Sequence, residues 1–203
     1  NSDSIKIKVI GRGGHGARPQ YARNPLEGMA AIVDTLKTMN TPQRVVTLCT
    51  ARVGQRHNTI ADFGTLTGTL RTFDPDLRRE TKRQIEEKVA AVCASLHLQA
   101  TVKFEFHCPV VVNDPQLYEY FREAGTLLFG PDCVARLEGP SMGSEDFGCY
   151  LQHAPGFLIR LGMGENSPPL HQSDFDFNDR ALPTGILILA ALVWRIARED
   201  SRP

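Results

Sequence analysis

Two loop histidines are the side chains of this 203-residue sequence best suited to chemistry. His15 lies in the glycine-rich segment 13–19, beyond a predicted strand, where glycines let the backbone approach a ligand and free the imidazole from packing. His171 lies in a long loop beside acidic residues, a setting that suits an ordered metal-binding imidazole. The alternatives are an incidental polar residue in a turn for His15 and a solvated loop histidine for His171.

Residues 142–147, with the sequence Met-Gly-Ser-Glu-Asp-Phe, place small residues and two carboxylates at a predicted helix start. Ser144 suits the N-cap position, and the helix dipole stabilises acidic residues in a first turn. Capping accounts for the composition of this segment without any ligand. It does not exclude contact with a substrate.

Asn58 and Arg71 are two further polar residues of interest. Asn58 lies in the link between two predicted strands, and Arg71 lies within the second of them. A charged residue in a strand needs a partner or an exposed face, and a guanidinium can bind a carboxylate through two parallel hydrogen bonds. Arg71 therefore suits a substrate carboxylate. The alternative is a surface arginine on an edge strand.

The elements that must position these residues follow the order β-α-β-β-α-β over residues 4–107. Strands are predicted at 5–9, 45–53, 63–73 and 101–106, and helices begin at Asn24-Pro25 and Asp74-Pro75. This order is typical of a ferredoxin-like fold, with one antiparallel sheet and two helices on one face. We therefore predict an α+β protein with a ferredoxin-like domain at residues 1–108.

Residues 109–203 alternate helix and strand, as a parallel α/β sheet does. Helices are predicted from Asp114-Pro115 to about Phe129, at 145–151 and at 180–198, with short strands at 134–137 and 156–161. Two short strands cannot cover both faces of a sheet, so we predict only part of an α/β domain here. The apolar run 185–194 is shorter than the roughly 20 residues of a membrane span and predicts a buried helix.

Composition excludes some classes of partner and favours one compartment. Lys and Arg number 23 and so do Asp and Glu, and this zero net charge offers no electrostatic attraction to nucleic acid or an anionic membrane. The 5 cysteines are scattered singly, which argues against a disulfide framework and favours reduced thiols in the cytoplasm. A start without Met or an apolar signal core predicts a trimmed or processed beginning.

Five segments of the chain, in order, resemble the metal-dependent amidohydrolases and carboxypeptidases of the aminoacylase type. They are residues 13–19, 58–61, 68–73, 142–147 and 170–179, and together they span nearly the whole chain. The branch most similar to it contains hippurate hydrolases, N-acyl-amino-acid amidohydrolases and auxin-conjugate hydrolases. The resemblance implies a ferredoxin-like lid domain that forms a homodimer, inserted in an α/β catalytic domain.

The resemblance also implies roles for the polar residues. His15 matches the lid histidine that reaches the partner subunit's active site and stabilises the tetrahedral oxyanion. Asn58 matches a lid residue that lies near the substrate and also acts across the dimer, and Arg71 matches a residue associated with the substrate carboxylate. Gly143 and Ser144 match the loop that borders the substrate.

The metal centre implied by the resemblance holds two divalent ions (Zn, Mn, Co or Ni) that activate a water for attack on an amide carbonyl. His171 matches one C-terminal ligand. The family's Cys-Gly-His-Asp stretch, Glu-Glu pair and further histidine precede the lid and have no counterpart in this sequence. One imidazole does not hold two metals, so the chain itself is expected to bind none. This sequence departs from the family at two positions. Ala61 stands where the family usually has proline, and Gln20 stands where it commonly has histidine.

These features predict the lid and C-terminal half of a catalytic domain, from an enzyme that cleaves the amide bond of N-acyl or N-aroyl amino acids. The chain alone is expected to be inactive. A non-catalytic dimerisation or binding module with the same lid fold is the alternative. A third hypothesis is that a separate chain supplies the remaining half.

Overall fold

The computed structural model describes residues 1–143, 145–165, 167–168, 170 and 172–200, and excludes the side chains of residues 106, 107, 199 and 200. The chain divides into two compact units. The first comprises Asn1–Val111 and Pro140–Cys149, and the second comprises Val112–Gly139 and Tyr150–Pro203. The predicted boundary after residue 108 differs from this division, because segment 140–149 packs with the first unit.

The first unit contains a four-stranded antiparallel sheet covered by two helices. The strands of this unit, four in the large sheet and two in a separate pair, are β1 (Ser2–Ile10), β2 (Gly14–His15), β3 (Arg44–Val53), β4 (Thr59–Ile60), β5 (Phe63–Thr72) and β6 (Gln99–Cys108). Its two long helices are α1 (Pro25–Lys37) and α2 (Pro75–Ser95). The sheet has the order β3-β5-β1-β6, and β2 pairs with β4 separately. The predicted ferredoxin-like βαββαβ fold is confirmed.

Strand β1 lies inside the sheet and alternates strictly between its two faces. Ile5, Ile7 and Val9 are buried in the core, whereas Lys6 and Lys8 are exposed on the opposite face. Successive side chains of a strand point to opposite faces, so this alternation places one face of the sheet against the helices. The helices contribute Met29, Ile32, Leu36, Ile85 and Val89 to the same core.

Both helices begin where the sequence predicts a cap. The side chain of Asn24 accepts a hydrogen bond from the backbone N–H of Leu26 at 3.1 Å. Asp74 accepts from the backbone N–H of Leu77 at 2.6 Å. Each cap satisfies an amide that the helix itself leaves unpaired, and the proline that follows fits the first helical position.

The second unit contains helices in its described residues but neither predicted strand. Helix α3 is Pro115–Phe129 and α5 is Leu182–Asp200, whereas α4, Phe147–Tyr150, has all but its last residue in the first unit. The strands predicted at 134–137 and 156–161 are therefore wrong. The side chain of Asn113 pairs with the backbone N–H and C=O of Leu158, both at 2.9 Å, so this stretch bonds to a loop side chain instead of a neighbouring strand. Helix α4 is shorter than the predicted 145–151.

Helix α5 exposes apolar side chains, so the prediction of a buried helix is also wrong. Ile186, Leu189, Val193 and Trp194 are 57–69% exposed. Among the described residues, one helix, Asp179–Arg198, is long and apolar enough to cross a membrane, with a mean hydropathy of 1.5. A single helix of this kind is weak support for a membrane span, because core helices of soluble proteins have the same length and composition.

A buried ion pair joins the first strand to the second helix. The carboxylate of Asp3 accepts hydrogen bonds from Arg78 Nε at 2.6 Å and from Lys82 Nζ at 2.7 Å. Burial acts to raise the pKa of Asp3, but the hydrogen bonds from Arg78 and Lys82 outweigh it and hold the pKa below its ordinary value. The ionised form of Asp3 therefore stabilises the folded state.

We expect Asp3→Asn to lower the free energy of unfolding by about 2–3 kcal/mol at neutral pH, because it leaves two partly buried cations without their carboxylate. The folded-state pKa is depressed, so the stabilisation is present above about pH 4 and is lost as the pH falls through the folded-state pKa. Urea unfolding between pH 7 and pH 2 should therefore show the two proteins converging in acid.

Glu87→Gln is the matched control for this measurement, because Glu87 pairs with Arg83 on the exposed face of the same helix. It should change the free energy of unfolding by about 0.5 kcal/mol or less. An Asp3→Asn protein whose stability deficit stayed constant down to pH 2 would contradict the role of the ionised carboxylate.

Candidate functional site

The loop after β1 is held against residues 58–62, which precede β5, by hydrogen bonds that its backbone N–H groups donate. The backbone N–H of Gly11 donates to the carbonyl of Asp62 at 2.7 Å, and the N–H of Gly13 donates to its carboxylate at 2.8 Å. The N–H of Gly16 donates to the carbonyl of Asn58 at 2.9 Å. A Cβ at position 13 would lie 2.9 Å from the backbone carbonyl oxygen of Ile60, which cannot easily move aside, so this close approach requires glycine.

His15 and Asn58 are brought side by side by this loop. His15 pairs with Thr59, the residue after Asn58, in the short β2–β4 ladder. Both His15 and Asn58 are exposed at the end of the sheet where β1 finishes and β5 begins. The structure thus places two of the predicted site residues together on one surface.

The imidazole of His15 is oriented by a peptide group. Its Nδ1 accepts a hydrogen bond from the backbone N–H of Ala17 at 3.1 Å. A backbone N–H is always a donor, so Nδ1 carries no proton and the neutral ring holds its proton on Nε2. The exposed ring therefore offers Nε2–H to an acceptor outside the chain, which is the polarity needed to stabilise an oxyanion.

Arg71 lies near the end of β5, which is an interior strand, so the alternative of an edge-strand arginine is wrong. Its side chain is half-buried, and Nη1 donates a hydrogen bond to the carbonyl of Met142 at 2.7 Å. The next residue, Gly143, donates its N–H to the hydroxyl of Ser141 at 3.1 Å. Arg71 therefore contacts the loop that contains Gly143. Ser144 lies outside the described residues.

His15 and Asn58 lie at one end of the sheet, and Arg71 lies at the other. Ile10 at the end of β1 pairs with Phe63, whereas Ser2 at its beginning pairs with Arg71. Eight residue steps along β5 lead from Phe63 to Arg71, a length of about 26 Å at about 3.3 Å per step. His15 lies beyond the Phe63 end. One small substrate cannot contact both His15 and Arg71 of the same chain.

The residues that the structure describes do not fit a two-metal centre. None of them form a group of three or more His, Cys, Asp or Glu side chains that could hold a metal ion. His171, the predicted metal ligand, lies outside this set, so its role stays a prediction. Any metal centre would need ligands from beyond the described residues.

Sequence reasoning missed the groups that hold the candidate residues in place. The N–H of Ala17 orients the imidazole of His15, the carbonyl of Met142 receives Arg71, and Asp62 anchors the glycine loop. The first two are backbone groups, an N–H that every residue type except proline supplies and a C=O that every residue type supplies, so residue type gives no signal for them. Asp62 lies 49 residues from Gly13 along the chain, so local sequence gives no signal for this contact either.

Comparison with known proteins identifies relatives along nearly the whole chain. Residues 6–195 match the family model of Peptidase family M20/M25/M40. The hippurate hydrolase of Campylobacter jejuni is 30% identical over 96% of this chain and 52% of its own length. An IAA-amino acid hydrolase of Arabidopsis thaliana is 29% identical over 98% of this chain and 48% of its own.

Solved structures show the same fold. The Bacillus subtilis YXEP protein, described as a dinuclear metal binding peptidase, superposes with a TM-score of 0.73 at 24% identity, covering 94% of this chain and 49% of that one. The chain thus spans about half the length of the curated relatives it matches.

We expect the neutral imidazole of His15 to be protonated on Nε2, because the Ala17 N–H occupies Nδ1. Two-dimensional ¹H–¹⁵N correlation of ¹⁵N-histidine-labelled protein at alkaline pH distinguishes the tautomers. A His15→Gln spectrum assigns the signal among the 6 histidines. A ring found mainly as the Nδ1–H tautomer would contradict the proposed orientation.

Proposed function

The chain belongs to Peptidase family M20/M25/M40, and on that premise we propose that it forms part of a metal-dependent hydrolase that cleaves the amide bond of N-acyl or N-aroyl amino acids. Its relatives include proteins named for hydrolysis of hippurate and of an IAA-amino acid. The observation that carries the proposal is the exposed imidazole of His15, with Nδ1 occupied and Nε2–H free to donate.

The proposed roles follow from the donors that each residue offers. His15 donates Nε2–H to the oxygen that becomes negative when the amide carbonyl is attacked. Asn58, beside it, offers amide hydrogen bonds to the same substrate. Arg71 binds the substrate carboxylate through the guanidinium N–H groups not used by Met142, and Gly143 and Ser144 border the substrate.

The metal centre is proposed to lie outside the described residues, with His171 as one of its ligands. Two divalent ions such as Zn, Mn, Co or Ni would supply an activated water there. The remaining ligands would come from a segment that this chain lacks. We also propose a cytoplasmic location, which is supported by the five free cysteines.

A homodimer through the first unit is proposed from the separation of the two residue groups. About 26 Å of β5 divides His15 and Asn58 from Arg71, so a shared substrate needs these residues from different chains. Among the residues that the structure describes, the edge strands β3 and β6 each leave one side without a neighbouring strand, and a second copy could extend it. A two-fold dimer would then form two equivalent sites, each with His15 and Asn58 from one subunit and Arg71 from the other.

We expect the 203-residue chain, supplied with Zn²⁺ or Mn²⁺, not to hydrolyse N-benzoylglycine or N-acetyl amino acids. A longer protein that adds a preceding Cys-Gly-His-Asp-containing segment should hydrolyse them, as amino-acid release would show. Turnover by the shorter chain at the rate of the longer one would contradict the proposal. A longer protein inactive on every N-acyl amino acid would favour the non-catalytic module instead.

In the longer protein, His15→Ala should lower kcat by about 10²–10³-fold with a smaller effect on substrate binding, because its partner charge exists chiefly in the transition state. Arg71→Ala should mainly weaken substrate binding. When the two variants are unfolded and refolded together and assayed at a substrate concentration too low to saturate Arg71→Ala, mixed dimers should restore about a quarter of wild-type activity, since half the dimers contain one complete site. Each variant refolded alone is the control, and absence of recovery would contradict the shared site.

A further inference from the structure

A cleft beside Arg71 has no role in the proposed chemistry. It has a volume of about 720 Å³ and lies entirely within the first unit. The residues lining it come from the turn before β3, the start of α2 and the loop that receives Arg71, and they are Pro42, Gln43, Phe73, Asp74, Leu77, Pro140 and Met142.

The wall of the cleft is mainly apolar. Phe73, Leu77 and Met142 are half-buried, so each presents part of its side chain to the cleft while the rest packs on the protein. Apolar and aromatic linings of this kind bind apolar groups, and a methionine adapts its shape to what enters. The lining therefore suits an aliphatic or aromatic group.

Charges on either side of the cleft restrict the ligand further. The exposed carboxylate of Asp74 lines the cleft, and it already caps α2 by accepting from Leu77 at 2.6 Å. An acidic side chain entering the cleft would be repelled by this carboxylate. Arg71 does not itself line the cleft, but its Nη1 donates to the carbonyl of the lining residue Met142 at 2.7 Å, which places a positive charge next to the cleft.

We propose that this cleft is the subsite for the side chain of the substrate's amino acid, and that it selects apolar and aromatic side chains over acidic ones. The proposal rests on the proposed function, because it takes the substrate carboxylate to be bound by Arg71. Met142 both accepts the hydrogen bond from Arg71 and lines the cleft, so a carboxylate on Arg71 would place the rest of the amino acid next to the cleft. Asp74 then acts as the residue that excludes acidic substrates.

Methionine-methyl NMR tests the cleft without any turnover. The chain contains 4 methionines, of which Met29 and Met39 are buried in the core and serve as internal controls. In ¹³C-methyl-labelled chain, N-acetyl-L-phenylalanine should shift the Met142 signal saturably and leave those of Met29 and Met39 unchanged. A Met142→Leu spectrum assigns the signal. N-acetyl-L-aspartate should bind more weakly.

Asp74→Asn removes the charge and keeps a good N-cap, so the helix is preserved. It should strengthen binding of N-acetyl-L-aspartate by about two- to fivefold, the effect of one exposed like-charge pair, and leave N-acetyl-L-phenylalanine unchanged. Asp76→Asn is the control, since Asp76 lies in the first turn of α2, two residues after the N-cap Asp74, but does not line the cleft. Equal gains from both variants would overturn the role of Asp74.

The outcomes separate this proposal from the proposed function. A Met142 signal that no N-acetyl amino acid shifts would overturn the subsite, even if the longer protein hydrolysed such substrates. A saturable Met142 shift that favours N-acetyl-L-phenylalanine would support the subsite, even if the longer protein proved inactive and the proposed function failed.

Discussion

The register of β1 between its two neighbours is the constraint on which the rest of the first unit depends. Ile7 stands opposite Leu66 on one side and Val102 on the other, with its own side chain fully buried. A slip of one residue would turn Lys6 and Lys8 into the core. Because such a slip is so costly, the positions at which β1 enters and leaves the sheet are fixed.

That register also fixes where the chemistry can occur. The end of β1 leads directly into the glycine loop of His15, and its beginning lies opposite Arg71. Residues that would act on one substrate are thus held apart by the length of a strand. A rigid sheet cannot bend to close that gap, so one copy of the sheet cannot bring both groups of residues to one small substrate.

Much of the first unit could be predicted because its signals are local. The alternation in β1 and the caps at Asn24 and Asp74 all lie within a few residues of the element they define. The second unit was predicted less well, since a strand at 156–161 requires a neighbouring strand that local pattern cannot supply. Likewise, residue type singled out His15 and Arg71, but the groups that hold them belong to the backbone of residues 17 and 142.

The hydrogen bond from the Ala17 N–H to His15 Nδ1 determines which substitutions at position 17 could disturb the imidazole. The donor is a peptide N–H, so every substitution at position 17 except proline retains it. In many enzymes a catalytic histidine is oriented by a carboxylate, which one point mutation can remove. Here the side chain at position 17 can change while the amide that orients the imidazole remains, so the orientation of His15 does not depend on the residue type at position 17.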